Sequence, residues 1–243
     1  MAEMKLMVTI DDLGISPGVN ASAEELIALG AVDCLSVFPT GPEFAGAMEL
    51  ASSSETAVSV HLNCIQPPFL TGADFPSSHG VWYFRGKKFA EKVREEWSRQ
   101  IERVLAGGVM VTRLDSHQHM HHVPGLRELI LELAREYGIS SIRSAVLPDR
   151  WRSVEALTLD RLGRKMARMA FRAGISTPDS MLGFTAAGSV SAEYLRLMEN
   201  RIGGGEKVEL VMHPSLKPEW SLYQPDEHRL MGSDWFREWK SAH

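Results

Sequence analysis

Two adjacent carboxylates, Asp11 and Asp12, and four histidines within six residues (His117, His119, His121, His122) concentrate the chemistry of this sequence. His61, Asp115 and His213 extend the set. A histidine cluster of this kind points to metal binding. Carboxylate and imidazole together form a hard-to-borderline donor set, suited to Mg2+, Zn2+, Mn2+ or a similar divalent ion. Cys64, three residues past His61, is the sole thiol near these positions. A structural zinc site built from four thiolates, or from two thiolates and two imidazoles, is therefore excluded. A catalytic ion typically takes three protein ligands and keeps a position open for water. Asp12, His61 and His117 would supply those three, leaving Asp11 to accept a proton from water.

Each of these residues also has a plain structural use. Asp11 or Asp12 could cap the helix that follows, and His61 could be a hydrogen-bonded core histidine. His213 precedes Pro214 and could simply terminate a strand. At most two of His117, His119, His121 and His122 are expected to be ligands, with the others on a loop or rim. His79, His228 and His243 stand in polar surroundings and receive no role. Position favours the functional reading. Asp11-Asp12, His61, Asp115/His117 and His213 each fall at or just beyond the C-terminal end of an expected strand, and in parallel α/β folds those ends converge on one face.

The strands are expected at Lys5–Ile10, Cys34–Val37, Ala57–His61, Val109–Ser116, Ser141–Arg143 and Val208–Met212. The helices between them open at Ser16-Pro17, a hydroxyl cap followed by proline, then at Pro42, about Lys88, Pro124, Asp160 and Ser191. Leu126, Leu129, Ile130, Leu133 and Ala134 repeat at helical spacing. The stretch from Asn63 to Gly80 is rich in Pro, Gly and Ser, and a connection of that length inside one domain usually belongs to an active site. Alternating strand and helix implies a parallel sheet. The expectation is one α/β domain over residues 1–243, a (β/α) barrel that is irregular or incomplete.

Composition narrows the field. The chain has 243 residues, 44% of them hydrophobic, with a net charge of −5. No window approaches the ~18 apolar residues of a membrane span, and no signal-peptide core is visible, so a cytoplasmic protein is expected. Cys34 and Cys64 cannot form a disulfide framework and read as inert, buried thiols. The negative balance, with no basic run, argues against nucleic acid. Nothing fixes the oligomeric state, and a homodimer is compatible. GxGxxG, GxxxxGK[ST] and GxSxG signatures are absent. Trp220, Trp235 and Trp239 could stack on a sugar, although packing is the commoner fate of such residues.

The stretches MVTIDDLGISPGVN, VSVHLN, RLDSHQHMHHVPGL and ELVMHP, in that order from about residue 5 to 214, resemble the YdjC/ChbG-like carbohydrate deacetylase family. DSHQHxH is the most specific piece; Asp-Asp-Leu-Gly stands here for the family's Asp-Asp-Phe-Gly. The resemblance implies a glycoside hydrolase/deacetylase type of (β/α) barrel and a divalent metal, Mg2+ or Zn2+. It also implies hydrolysis of an N-acetyl group on an acetylated amino sugar or short chitooligosaccharide; no membrane partner is expected, since no apolar window is long enough to span one. Carried over by residue, it makes His61 and His117 the imidazole ligands, Asp12 the third ligand and Asp11 the base. His213 would then protonate the leaving amine. Ser144 to Gly188 matches the family poorly and is expected to shape the substrate pocket. Rival readings are hydrolysis of another amide or ester, lipid-linked or non-carbohydrate, and a non-catalytic sugar-binding relative.

Overall fold

The computed structural model describes residues 4–219 and 222–243. Seven strands alternate with helices along the chain: β1 (Lys5–Leu13), α1 (Pro17–Ala28), β2 (Cys34–Val37), α2 (Phe44–Ser53), β3 (Ala57–Leu62), α3 (His79–Leu105), β4 (Val111–Ser116), α4 (Leu126–Glu136), β5 (Ser141–Ile142), α5 (Val154–Ala173), β6 (Ser180–Leu182), α6 (Ala192–Glu199) and β7 (Lys207–Met212), followed by α7 (Pro225–Met231) and α8 (Asp234–Ser241). Every strand pairing is parallel, in the order β5-β4-β3-β2-β1-β7-β6. The sheet curls into a half-barrel. Its two edges approach each other through isolated bonds, Ile142 N–H to Ser176 O at 2.9 Å and Met181 N–H to Val146 O at 2.8 Å. The expected irregular barrel is therefore observed.

Side-chain alternation along the strands separates two environments. Val8, Ile10, Leu35, Val37, Val58, Val60, Leu114 and Leu210 are buried in the main core cluster. Helical Leu26, Trp97, Ile101, Ile130 and Leu133 belong to the same cluster. The alternate positions, Thr9, Asp11, Ser36, Ser59, His61, Arg113, Asp115 and Glu209, are buried too and bond to one another across the interior. The concave face is thus polar and ionic, and it leads directly into the site.

Several boundaries differ from expectation. β1 does not stop at Ile10 but runs through both aspartates, with a register shift against β2 between Ile10 and Leu13 and Asp12 at φ 60°. α3 begins at His79 rather than Lys88. Its first turns carry glycines at 80 and 86 and three consecutive aromatics, which hide the helical period; buried Trp82 anchors them through Nε1–H to Pro76 O at 2.7 Å. α5 begins at Val154, where Ser153 Oγ accepts from Ala156 N–H at 3.0 Å, and not at Asp160. α2 and α4 start two residues after Pro42 and Pro124, and α6 is shorter than read. β6, α7 and α8 were not anticipated, since three to eight residues carry too little periodicity to read. α1, with Ser16 as cap, Pro17 first and Gly30 at φ 68°, lies where expected. No helix among the described residues is long and apolar enough to cross a membrane.

Candidate active site

The C-terminal ends of β1, β3, β4 and β7 bring Asp11, Asp12, His61, Asp115, His117 and His213 to one place. His61 Nε2 lies 3.1 Å from Asp12 Oδ1, and His117 Nδ1 lies 2.8 Å from the same oxygen. One donor atom from each of Asp12, His61 and His117 falls within 4.8 Å of the others. His213 Nε2 stands 4.0 Å from Asp11 Oδ2 and 3.9 Å from Asp12 Oδ2. All of these residues except His213 are buried, and His213 is nearly so. The local backbone explains how two neighbouring aspartates share the site: at φ 60°, Asp12 breaks the strand alternation that would point it away from Asp11.

The hydrogen bonds on the far side of each ring set its orientation. His61 Nδ1 is 2.5 Å from Asp115 Oδ1, and His117 Nε2 is 3.0 Å from Gln66 Oε1. Both partners accept, so each ring carries its hydrogen there and turns the other nitrogen toward Asp12. Two acceptor nitrogens then face one acceptor oxygen, Asp12 Oδ1, each within hydrogen-bond distance of it. That arrangement needs a cation between them or an extra proton on a ring. The donor set therefore fits a metal ion. Burial alone would raise the pKa of Asp12, but the His117 and His61 imidazoles reverse this and hold it well below the usual carboxylate range. Burial alone would lower that of His61; Asp11, Asp12 and Asp115 overturn it and raise it well above normal. Tyr223 Oη donates to Asp12 Oδ2 at 2.7 Å and fixes the carboxylate from the other side.

Beneath this set lies an ionic network that sequence reading missed. Arg143, fully buried, spans Asp11 with Nη1 to Oδ2 and Nη2 to Oδ1, each at 2.7 Å. It also reaches Glu209 Oε1 through Nη2 at 2.8 Å and Nε at 3.1 Å. Arg113 Nη2 bonds the other Glu209 oxygen at 2.9 Å. Asp115 receives the Ser36 and Ser59 hydroxyls, each at 2.6 Å. Burial opposes its ionisation, yet Arg143 and His61 hold its pKa well below normal. Three buried carboxylates (Asp11, Asp115, Glu209) thus meet two guanidinium groups, while Asp12 faces His61, His117 and Tyr223. Glu209 alternates with Val208 and Leu210 along β7; a carboxylate inside an apolar strand was the available signal.

The remaining histidines correct the loop-or-rim expectation. His121 is buried between Ser116 Oγ at 2.6 Å and Arg143 O at 3.1 Å. His122 is buried as well, its Nε2 accepting from Ala145 N–H at 3.0 Å and its Nδ1 facing His119 O at 3.2 Å. Both hold the turn beneath the site, in which Gln118 and His119 take φ of 51° and 56°. Burial pushes His122 down to about 3. His119 lines the cavity with Nδ1 unpartnered among the described residues. His79, given no role from sequence, also lines the cavity, whereas His228 and His243 pair with Glu25 and Glu199 away from it. Cys34 and Cys64 are free, buried thiols. Trp235 and Trp239 stack on each other at an interplanar angle of 16° and do not line the cavity. Trp220 lies outside the described residues.

A cavity of about 760 Å3 opens over Asp11, Asp12, His61, His117 and His213. Its outer wall is built from the first turns of α3 and α5 and from the segment around β6. Much of that wall comes from the stretch between Ser144 and Gly188.

A family model described as YdjC-like protein matches residues 5–242. A carbohydrate deacetylase of Enterococcus faecalis (strain ATCC 700802 / V583) is 30% identical over 230 residues, covering 88% of this chain and 82% of the relative. One from Brevibacillus brevis is 33% identical over 146 residues, 56% of this chain and 58% of the relative's length. The human carbohydrate deacetylase is 28% identical, covering 87% of this chain and 75% of its own. Among solved structures, a candidate cellobiose-phosphate cleavage protein of Enterococcus faecalis V583 superposes with a TM-score of 0.73 at 27% identity, over 98% of this chain and 94% of that one. An uncharacterized protein of Agrobacterium tumefaciens C58 shares the fold, with a TM-score of 0.54 at 13% identity, over 99% of this chain and 85% of that one.

Proposed function

The chain belongs to the YdjC-like family, and from that premise we propose that it is a metal-dependent hydrolase that removes an N-acetyl group from an acetylated amino sugar. Relatives called carbohydrate deacetylases support the reaction class. The observation that carries the metal dependence is the convergence of the Asp12 carboxylate, His61 Nε2 and His117 Nδ1 under a cavity, with Asp11 alongside. Asp12, His61 and His117 would hold a divalent ion, Mg2+ or Zn2+. Such an ion supplies Lewis-acid polarisation of the acetamide carbonyl and of water.

The rest of the chemistry falls to the chain's own side chains. Asp11 accepts the proton of the attacking water, its carboxylate plane set by the two bonds from Arg143. His213 delivers a proton to the departing amine from the other side. Its backbone is tied by N–H to Glu227 Oε2 at 2.6 Å, and its Nε2 faces both aspartates. Asp115 and Gln66 hold the two imidazoles in the required tautomers, the usual task of partners behind metal-binding histidines.

The test is acetate release from N,N′-diacetylchitobiose, with and without chelator, beside metal analysis of the purified protein. Chelator-sensitive release with one metal per chain is the expected result. One bound metal without acetate would redirect the reading to another amide or ester. Absence of metal after reconstitution would reduce the protein to a sugar-binding relative.

A further inference from the structure

The lining of the cavity over the site is of two kinds. Beside the aspartates it offers the polar side chains of His117, His213, Gln118 and His119. The walls supplied by α3, α5 and the segment around β6 are mainly apolar, with Phe84, Val154, Leu159, Leu162, Met181 and Phe184, and carry His79, Tyr83 and Glu155 as well. Thr158, on the same face of α5, spends its hydroxyl on Val154 O at 2.8 Å. Phe84 and Val154 are 85% and 76% exposed, so the α3 and α5 sides of the mouth present apolar side chains to solvent.

A second or third sugar unit laid along Val154, Leu159, Leu162, Met181 and Phe184 would set its hydroxyls against groups that cannot bond them, His79, Tyr83 and Glu155 being the polar groups at the rim, and unpaired buried polar groups are unfavourable. An apolar group would displace water from the same surface at a gain. Because this wall belongs to the same cavity as the Asp12–His61–His117 cluster, a group attached to the sugar being processed can lie along it. Resting on the deacetylase reading above, we infer that the substrate is amphiphilic: a single N-acetylated amino sugar whose anomeric substituent is an apolar aglycone lying along α5 and Phe184. The reaction is the amide hydrolysis already described. Water cleaves the acetamide C–N bond, giving acetate and the free amine, and the aglycone takes no part in the chemistry.

The test compares methyl and octyl 2-acetamido-2-deoxy-β-D-glucopyranoside, the octyl compound kept below its micelle concentration, for binding by calorimetry and for acetate release by the metal-loaded protein. Each fully buried methylene strengthens binding about fourfold, so burial of about four gives a preference on the order of 10²-fold for the octyl glycoside. Leu162→Asn and Val154→Asn should each cut that preference about tenfold while methyl glycoside turnover stays at the parent level, which also reports the fold. The inference falls if the two glycosides bind within twofold of each other, or if both variants keep the full octyl preference. Equal acetate release from both glycosides, with no difference in binding, leaves the deacetylase reading standing and removes the aglycone site. An octyl preference in binding that both variants weaken, with no acetate from either compound, does the reverse.

Discussion

Arg143 grips both carboxylate oxygens of Asp11 at 2.7 Å, from a side chain that is wholly buried. The same guanidinium serves Glu209 and stands 3.4 Å from Asp115 Oδ2, so one residue neutralises the interior of the half-barrel and orients the group proposed as base. Burial by itself would lower the arginine's pKa, but Asp11, Asp115 and Glu209 raise it well above normal.

Removing that residue should therefore act on stability first. Arg143→Met leaves three buried carboxylates short of a partner, and breaking a buried ion pair from one side costs about 3–5 kcal/mol. Arg143→Lys returns one charge without the planar fork and should fall between variant and parent. Urea midpoints for the three proteins check the order. An Arg143→Met midpoint equal to the parent's would show that the network is not what holds the interior together.

Asp11→Asn keeps the shape of the base and removes its charge. Turnover should drop by about 10²–10⁴, the scale of general-base loss. Metal content should remain at the parent's level, because Asp12, His61 and His117 are untouched. His61→Ala or His117→Ala should instead lose metal and activity together. A normal rate for Asp11→Asn would move the proton to another acceptor, with His213 the nearest alternative.

Asp115 acts one step removed. Its carboxylate holds His61 Nδ1 while two serines and Arg143 hold the carboxylate. Asp115→Asn should weaken metal binding by about 10–100-fold, the usual effect of losing the partner behind a ligating histidine. Calorimetric titration of metal into the chelator-treated protein reads this directly. Unchanged affinity would mean that the strand alone positions His61.

What sequence could reveal divides along physical lines. The barrel and the cluster Asp11, Asp12, His61, His117 and His213 were legible because both rest on local signals: short apolar runs, caps, and residues stationed at strand ends. Arg143 and Glu209 were not, because their meaning lies in contacts 66 and 132 positions apart in the chain. The early start of α3 was hidden by glycine and a run of aromatics, and the burial of His121 and His122 by their position in a polar stretch between strand and helix that reads as an exposed loop.

Those two histidines make an acid-sensitive element. His122 sits buried and neutral, its pKa pushed down by burial to about 3, and burial also puts His121 well below normal. In the unfolded chain a histidine titrates near 6.5. A folded-state pKa below the unfolded value means that the unfolded state takes up protons first as the pH falls. The stabilising effect of a neutral His122 is thus complete above about pH 6.5 and is lost progressively below it. At pH 5 the loss amounts to about 2 kcal/mol for this one group. His61 titrates with the opposite sign, since its folded pKa is raised, so the absolute stability curve mixes the two. Subtraction separates them. Parent and His122→Gln proteins, unfolded in urea at pH 7.5, 6.5, 5.5 and 5.0, should converge in stability as the pH falls, because only the parent carries the titrating ring. A difference that stays constant over that range would show that His122 takes up its proton at the same pH in the folded protein as in the unfolded chain, and the Ala145 N–H would then need another acceptor at the acid end.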